Sequence, residues 1–159
     1  RADFVFWPFL FGFKLLPFER TVKRKAITRS KFLLFDLGVT RTLSKQAPLQ
    51  EGSVAFGKAF EHFLMLEVRA ALQYRKKDPP MPYWRTKSGF EVDLVLGDDT
   101  AVEIKATSTP SDRHLKGLKA LREEKLLRTY QLVCQVEHRR VVDGIEVIPW
   151  REFLQTLWE

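Results

Sequence analysis

The feature that most constrains this chain lies between Phe90 and Ala106, where two strand-length runs, FEVDLVL and AVEIKA, set charged residues into otherwise apolar sequence. Gly97, Asp98, Asp99 and Thr100 between them supply turn chemistry, so the pair reads as an antiparallel hairpin. Alternation puts Val92, Leu94 and Leu96 on one face of the first strand and Glu91, Asp93 and Val95 on the other. On the second strand Val102 and Ile104 share one face, and Glu103 and Lys105 the opposite one. Register then decides whether the charges meet. A two-residue turn at Asp98-Asp99 pairs Asp93 with Ile104 and separates the acids, whereas a three-residue loop over 97–99 pairs Asp93 with Glu103. We expect the second register.

A helix is predicted ahead of this hairpin over 54–73. No Gly or Pro follows Gly57, Ser53 stands at the N-cap, and Lys76, Lys77, Asp78, Pro79 and Pro80 end it. At about 100° per residue, Glu61 shares a stripe with Gly57, Leu64, Val68 and Leu72, while Lys58, His62, Arg69 and Gln73 form the solvated stripe. Glu61 therefore faces the core, where a carboxylate needs a partner, a hydrogen-bond network or a metal. Gly57, at a cost of about 1 kcal/mol relative to Ala, reads as a close approach to the sheet. PYWRT at 82–86 is a further strand, joined to the hairpin through Lys87, Ser88 and Gly89. Thr109 and Pro110 introduce a second helix, with Leu115, Leu118, Leu121 and Leu126 at helical spacing. A strand YQLVCQV, a turn at Asp143-Gly144 and a last helix after Pro149 follow. The order helix, three strands, helix, strand defines an α/β domain with flanking helices, and 159 residues at 45% apolar content suit one core.

Carboxylates from Glu61, Asp93 and Glu103 brought together repel one another, and their natural partner is a divalent cation. All-oxygen ligation selects Mg²⁺ or Mn²⁺. Lys105 would hold an ammonium about one pleat away, placed to orient or activate a water attacking phosphorus. The chemistry implied is phosphodiester hydrolysis, with the three acids as metal ligands. The same residues also describe a solvated strand face or a buried ionic network.

GKAFE on the helix, YWRTKSGFEVDLVL and AVEIKA resemble, in that order, the PD-(D/E)XK nuclease superfamily, the fold of restriction endonucleases and archaeal Holliday-junction resolvases. More narrowly, KRKAITRSKFLLFDLGV, GKAFEHF, YWRTKSGFEVD, VEIKAT, HLKGLKAL and IPWREFLQTLW resemble the domain of unknown function that ends many prokaryotic AAA-type ATPases. That likeness covers nearly everything after Pro17. It implies a restriction-endonuclease-like core with a mixed sheet, and it matches Glu61 to the first-helix acid, Asp93 to the motif aspartate, and Glu103 and Lys105 to the E-x-K. Val92 stands where the superfamily motif has Pro. The resemblance also implies an N-terminal ATPase module as partner. No GxxxxGK(S/T) phosphate loop is present, so ATP is not expected to bind this chain. Residues 1–18, with Phe4, Phe6, Trp7, Phe9, Phe11, Phe13 and Phe18, read as an aromatic remnant of a preceding domain, and 19–159 as the nuclease-like domain.

An excess of 27 Lys and Arg over 20 Asp and Glu points to an anionic partner, nucleic acid first and DNA ahead of RNA. The candidate contacts are Arg20, Lys23, Arg24 and Lys25 in a basic connector, and Arg75, Lys76, Lys77, Arg85 and Lys87, with Tyr83 and Trp84 as stacking faces. After the connector, KFLLFDLGV reads as a short buried segment. The single cysteine, Cys134, excludes a disulfide framework and a Cys-rich zinc site, suits a reducing compartment such as the cytoplasm, and reads as core. The three histidines are scattered and read as surface. Pro8, Lys14 and Pro17 interrupt the aromatic run, which is too short to span a membrane.

Overall fold

The computed structural model describes residues 11–45, 48–76, 80–97 and 99–159. Strand β1 (Gly12–Leu15) pairs antiparallel with β2 (Lys31–Leu34), which leads into the short helix α1 (Leu37–Leu43). The long helix α2 (Val54–Tyr74) follows, then a ribbon of β3 (Trp84–Arg85) and β4 (Glu91–Val92). The remaining elements are β5 (Leu94–Leu96), β6 (Thr100–Lys105), α3 (Asp112–Arg122), β7 (Thr129–Cys134), β8 (Arg140–Val142), β9 (Ile145–Pro149) and α4 (Trp150–Trp158).

A mixed five-stranded sheet, in the order β5-β6-β7-β9-β8, forms the centre. Its three inner strands are parallel and its two edge strands antiparallel to their neighbours. Helices cover both faces, so β6 buries Ala101, Val102, Glu103 and Ile104 in succession. On one face Leu115, Leu118 and Leu121 of α3 pack with Val95, Ala101, Leu132 and Val147. On the other, Phe60, Leu64, Met65 and Val68 of α2 pack with Leu94, Val102, Ile104 and Val133, joined by Phe153 of α4. The architecture is thus the expected mixed α/β one, with Cys134 in the core.

Local chemistry accounts for several boundaries. The Ser53 hydroxyl accepts the Phe56 N–H at 3.1 Å and starts α2. Val142 faces Ile145 across Asp143 and Gly144, whose φ angles of 51° and 72° give the two-residue type I′ hairpin between β8 and β9. Along the outer edge of β5, the Val95 N–H donates to the Pro82 carbonyl at 2.7 Å. That segment is itself covered, since the Tyr83 N–H donates to Leu16 and the Phe18 N–H to Tyr83.

Several sequence expectations need correction. FEVDLVL is not one strand: it breaks at Asp93, with β4 pairing to β3 and β5 to β6. The change of partner resets the alternation, so Val92 and Val95 enter the α3-side core and Leu94 the α2-side core. KFLLFDLGV is not a buried segment but β2 and α1, with Asp36 capping the helix and Phe32 and Phe35 half exposed. His62 is buried rather than solvated, because its Nε2 donates to the Leu34 carbonyl of the β1–β2 hairpin at 2.8 Å. At Gly57 nothing lies within 4 Å of where a Cβ would stand, so no close approach explains it. The close approach is at Gly117 of α3, where a Cβ would collide with the Glu91 carbonyl.

Leu15 and Phe18 are buried in the two cores, so the segment from Gly12 onward packs on this domain. Phe4, Phe6, Trp7, Phe9, Lys77 and Asp98 lie outside the described residues. Among the described residues no helix is long and apolar enough to cross a membrane.

Candidate functional site

Strands β5 and β6 register Leu94 with Val102 and Leu96 with Thr100, which, continued by one residue, sets Asp93 opposite Glu103. In an unbroken strand the Ile104 N–H would have bonded the backbone at Val92. The break at Asp93 instead turns its carboxylate onto β6, where Oδ2 accepts the Ile104 N–H at 2.9 Å and lies 3.4 Å from Lys105 Nζ. The same ammonium stands 2.6 Å from Glu103 Oε1 and donates to the Ile104 carbonyl at 3.0 Å. Its three protons are therefore directed at Asp93, Glu103 and the backbone.

Glu61 arrives from α2, on the other side of the sheet, half-buried and within electrostatic reach of Asp93. Burial first, then the Asp93 carboxylate, push its carboxyl up to about 8, against the pull of Lys105 and Lys31. At neutral pH it thus holds its proton, which removes one negative charge from beside Asp93. Burial and then Asp93 also hold the Glu103 carboxyl well above its usual range, although Lys105 opposes them. Burial works against the Lys105 ammonium, but Asp93 and Glu103 together outweigh it and keep the ammonium charged far above ordinary conditions. Lys105 is accordingly a fixed positive charge, not a base.

Sequence reasoning did not bring Lys31 to this cluster. Lys31 of β2 forms an ion pair with Glu91, lies 4.5 Å from the centre of the Tyr83 ring, and is held charged by Glu91, Asp93 and Glu61 after burial is set against them. Arg85 also approaches Glu91, at 3.6 Å. The reach of Lys31 to Glu91 depends on the long-range pairing of β1 and β2, which has no local trace in the sequence.

Glu61, Asp93, Glu103 and Lys105 are brought into one electrostatic unit, but the carboxylates do not all face one point. Glu61 lines a cavity of about 330 Å³ with Leu33, Arg41, Lys58 and His62. Glu103 lines a separate cleft of about 360 Å³ with Gly89, Glu91, Arg113 and His114. Among the described residues no three His, Cys, Asp or Glu side chains stand close enough to hold a metal ion, and the Lys105 ammonium is the cation between Asp93 and Glu103. One oxygen nevertheless stays unspent: Glu103 Oε2 is buried with no hydrogen-bond partner among the described residues.

The basic residues divide. Lys23, Lys25, Arg85 and Lys87 are exposed, and the Ile27 N–H donates to the Arg85 carbonyl at 2.7 Å, so the connector and the β3–β4 turn are neighbours. Arg20 lies over the Phe18 ring. Arg24 is committed to the fold, bonding the Ala120 carbonyl and Glu123 and lying over the Phe90 ring. Glu124 anchors the connector by accepting the N–H groups of Val22, Lys23 and Arg24, each at 2.9 Å. Arg75 and Lys76 end α2, about 20 Å along the helix from Glu61. Tyr83 and Trp84 are buried, 3% and 0% exposed, and are not available for base stacking.

Neither a curated protein nor a solved structure matches the chain. A family model does match, over residues 56–153, a span that contains Glu61, Asp93, Glu103 and Lys105 and leaves out Lys31. Because this span is well over half of the sequence, the chain belongs to the family described as Domain of unknown function (DUF4143).

Proposed function

We propose that this domain is a metal-dependent nuclease of the PD-(D/E)XK type, hydrolysing nucleic-acid phosphodiesters as the C-terminal part of an ATPase. One observation carries the reading: on register-paired strands, a buried carboxylate oxygen of Glu103 is left without a partner beside Asp93 and a permanently charged Lys105. The donors are all oxygen, the kind a divalent cation prefers, and the three carboxylates exceed the one ammonium among them by two negative charges when ionised, but as placed they are not gathered around one point and the Lys105 ammonium stands between Asp93 and Glu103. Mg²⁺ or Mn²⁺ would be held by Glu61, Asp93 and Glu103 only if these were drawn together in place of that ammonium. Such an ion polarises a phosphoryl oxygen and lowers the pKa of a bound water.

The protein's own contribution is distinct. Asp93 is fixed by the Ile104 N–H, so its orientation is set before any substrate arrives. Lys105, with its protons given to Asp93, Glu103 and the Ile104 carbonyl, acts as a fixed positive charge that offsets negative charge developing on the phosphorane oxygens. Glu61 must release its proton before it can bind a cation, so cation affinity rises with pH up to about 8.

A second reading follows from the double pairing of Lys105 with Asp93 and Glu103. A closed ionic network of this kind is the expected remnant of a nuclease turned into a docking or DNA-binding domain. Calorimetric Mn²⁺ titration and a nuclease assay, on wild type beside Lys105→Ala, separate the two. The nuclease reading expects Mn²⁺ to bind wild type and Lys105→Ala to bind it at least as tightly while losing about a hundredfold or more in cleavage. Absence of both Mn²⁺ binding and cleavage in wild type would refute it.

A further inference from the structure

Glu103 lies on the floor of a cleft of about 360 Å³ between the β3–β4 turn, at Ser88 and Gly89, and the first turns of α3. Two features of this cleft are unused by the ionic cluster. Glu103 is 6% exposed and its Oε2 is unpartnered among the described residues, an expensive arrangement for a buried carboxylate. The α3 wall, meanwhile, is cationic. Arg113 and Lys116 have no carboxylate partner among the described residues, whereas Lys119, on the same helix, is held by Asp112 and Asp143.

His114 stands in the same wall. The Ser111 N–H donates to its Nδ1 at 3.0 Å and the Arg113 Nε–H is directed at its Nε2 at 3.2 Å. Burial, then Arg113 and Lys105, hold the imidazole below its usual pKa. The ring thus steadies the Arg113 guanidinium, whose two terminal NH2 groups are what it can offer a ligand.

The cleft therefore offers two cations without a carboxylate partner among the described residues opposite an unspent carboxylate oxygen. An anion that arrives with its own cation satisfies both sides, because the cation can meet Glu103 while the anion meets α3. A phosphodiester with a divalent counter-ion has this character. The volume is at the lower end of the ~300–1,000 Å³ range of small-ligand sites, the size of one nucleotide unit rather than a duplex. We propose that this cleft is the subsite for one backbone phosphate of a nucleic-acid strand, with Arg113 and Lys116 as electrostatic anchors and His114 as the residue that positions Arg113. The identity of the anion rests on the nuclease reading; the cationic wall does not.

Fluorescence anisotropy of a labelled single-stranded oligonucleotide in EDTA, at a series of salt concentrations, tests this. Arg113→Ala/Lys116→Ala should weaken binding about tenfold or more and reduce the slope of log K against log salt by about 1.4, at ~0.7 per phosphate contact. Lys14→Ala/Arg128→Ala, at exposed positions outside the lining of the cleft, should stay within about twofold of wild type. Both replacements are at exposed positions, and thermal melts verify that each variant folds. Binding by the α3 variant equal to that of wild type, or weakened no more than by the Lys14→Ala/Arg128→Ala variant, overturns the subsite. Free inorganic phosphate binding as tightly as the oligonucleotide overturns its assignment to a strand. Since the titrations contain no divalent ion, loss of the nuclease reading through absent Mn²⁺ binding would leave a positive result here intact, and a negative result here would leave metal binding and cleavage untouched.

Discussion

Replacing Glu61 with Gln isolates the electrostatic strain in the acid cluster. The Glu61 carboxyl is raised from 4.5 to about 8, first by burial and then by Asp93. A folded-state value above the unfolded one means that the native protein binds the proton more tightly. The stability it contributes is therefore complete below pH 4.5 and is lost as pH climbs through about 8. At ~1.36 kcal/mol per pH unit the full interval is worth about 5 kcal/mol. Residual solvent access at a half-buried carboxylate reduces this to about 2–3 kcal/mol near pH 8. Gln has no charge to desolvate and none to repel Asp93. Glu61→Gln should therefore melt with wild type near pH 5 and above it, by about 5–10 °C, near pH 8.5. Circular dichroism melts at the two pH values measure the change in the difference, in which any baseline effect of the substitution cancels. Parallel curves, with the same difference at both pH values, would refute the reasoning.

Asp93 follows burial as the main cause of the raised Glu61 and Glu103 carboxyls, so Asp93→Asn should bring both down toward ordinary values in an NMR titration. It should also abolish any Mn²⁺-dependent rise in melting temperature seen in wild type. Gly117→Ala should destabilise the fold by about 2 kcal/mol or more, because a Cβ there meets backbone at Glu91 and α3 must lift off β4. Gly57→Ala should do the opposite, stabilising by about 0.5–1 kcal/mol, since its Cβ would stand in open space inside a helix; urea unfolding of the two variants gives the comparison.

What could be read from the sequence was local or governed by parity. The extent of α2 followed from Ser53 and from the uninterrupted run after Gly57, and the Asp93–Glu103 register from the odd number of residues in the 97–99 loop. Alternation failed beyond Asp93 because it assumes one strand with one partner, and here β4 and β5 pair with different neighbours. His62 and Lys31 were misread for a common reason: the β1–β2 hairpin joins residues far from α2 in sequence, and neither its pairing nor the face it covers leaves a periodic trace. Tyr83 and Trp84 resemble a stacking surface in sequence because aromatics followed by Arg and Lys look alike whether solvated or buried. Their burial comes from the 16–18 and 21–31 segments laid over them, with Trp84 Nε1 donating to Thr21 at 3.2 Å.

The covering of β5 has a bearing on behaviour at high concentration. An edge strand with free N–H and C=O groups is a template onto which another chain can add. Here the outward N–H of Val95 is taken by Pro82, and Tyr83 beside it is paired in turn with the 16–18 segment around Pro17. Neither proline has an N–H to offer an incoming strand. At the opposite end of the sheet β8 has three residues and begins at an exposed Arg140. Among the described residues, then, neither edge of the main sheet presents a long, flat ladder. Growth of this sheet by strand addition from a second copy is thus hindered at β5 by the covering segments and at β8 by the shortness of the strand, so crowding of folded molecules should seed β-aggregation through it poorly.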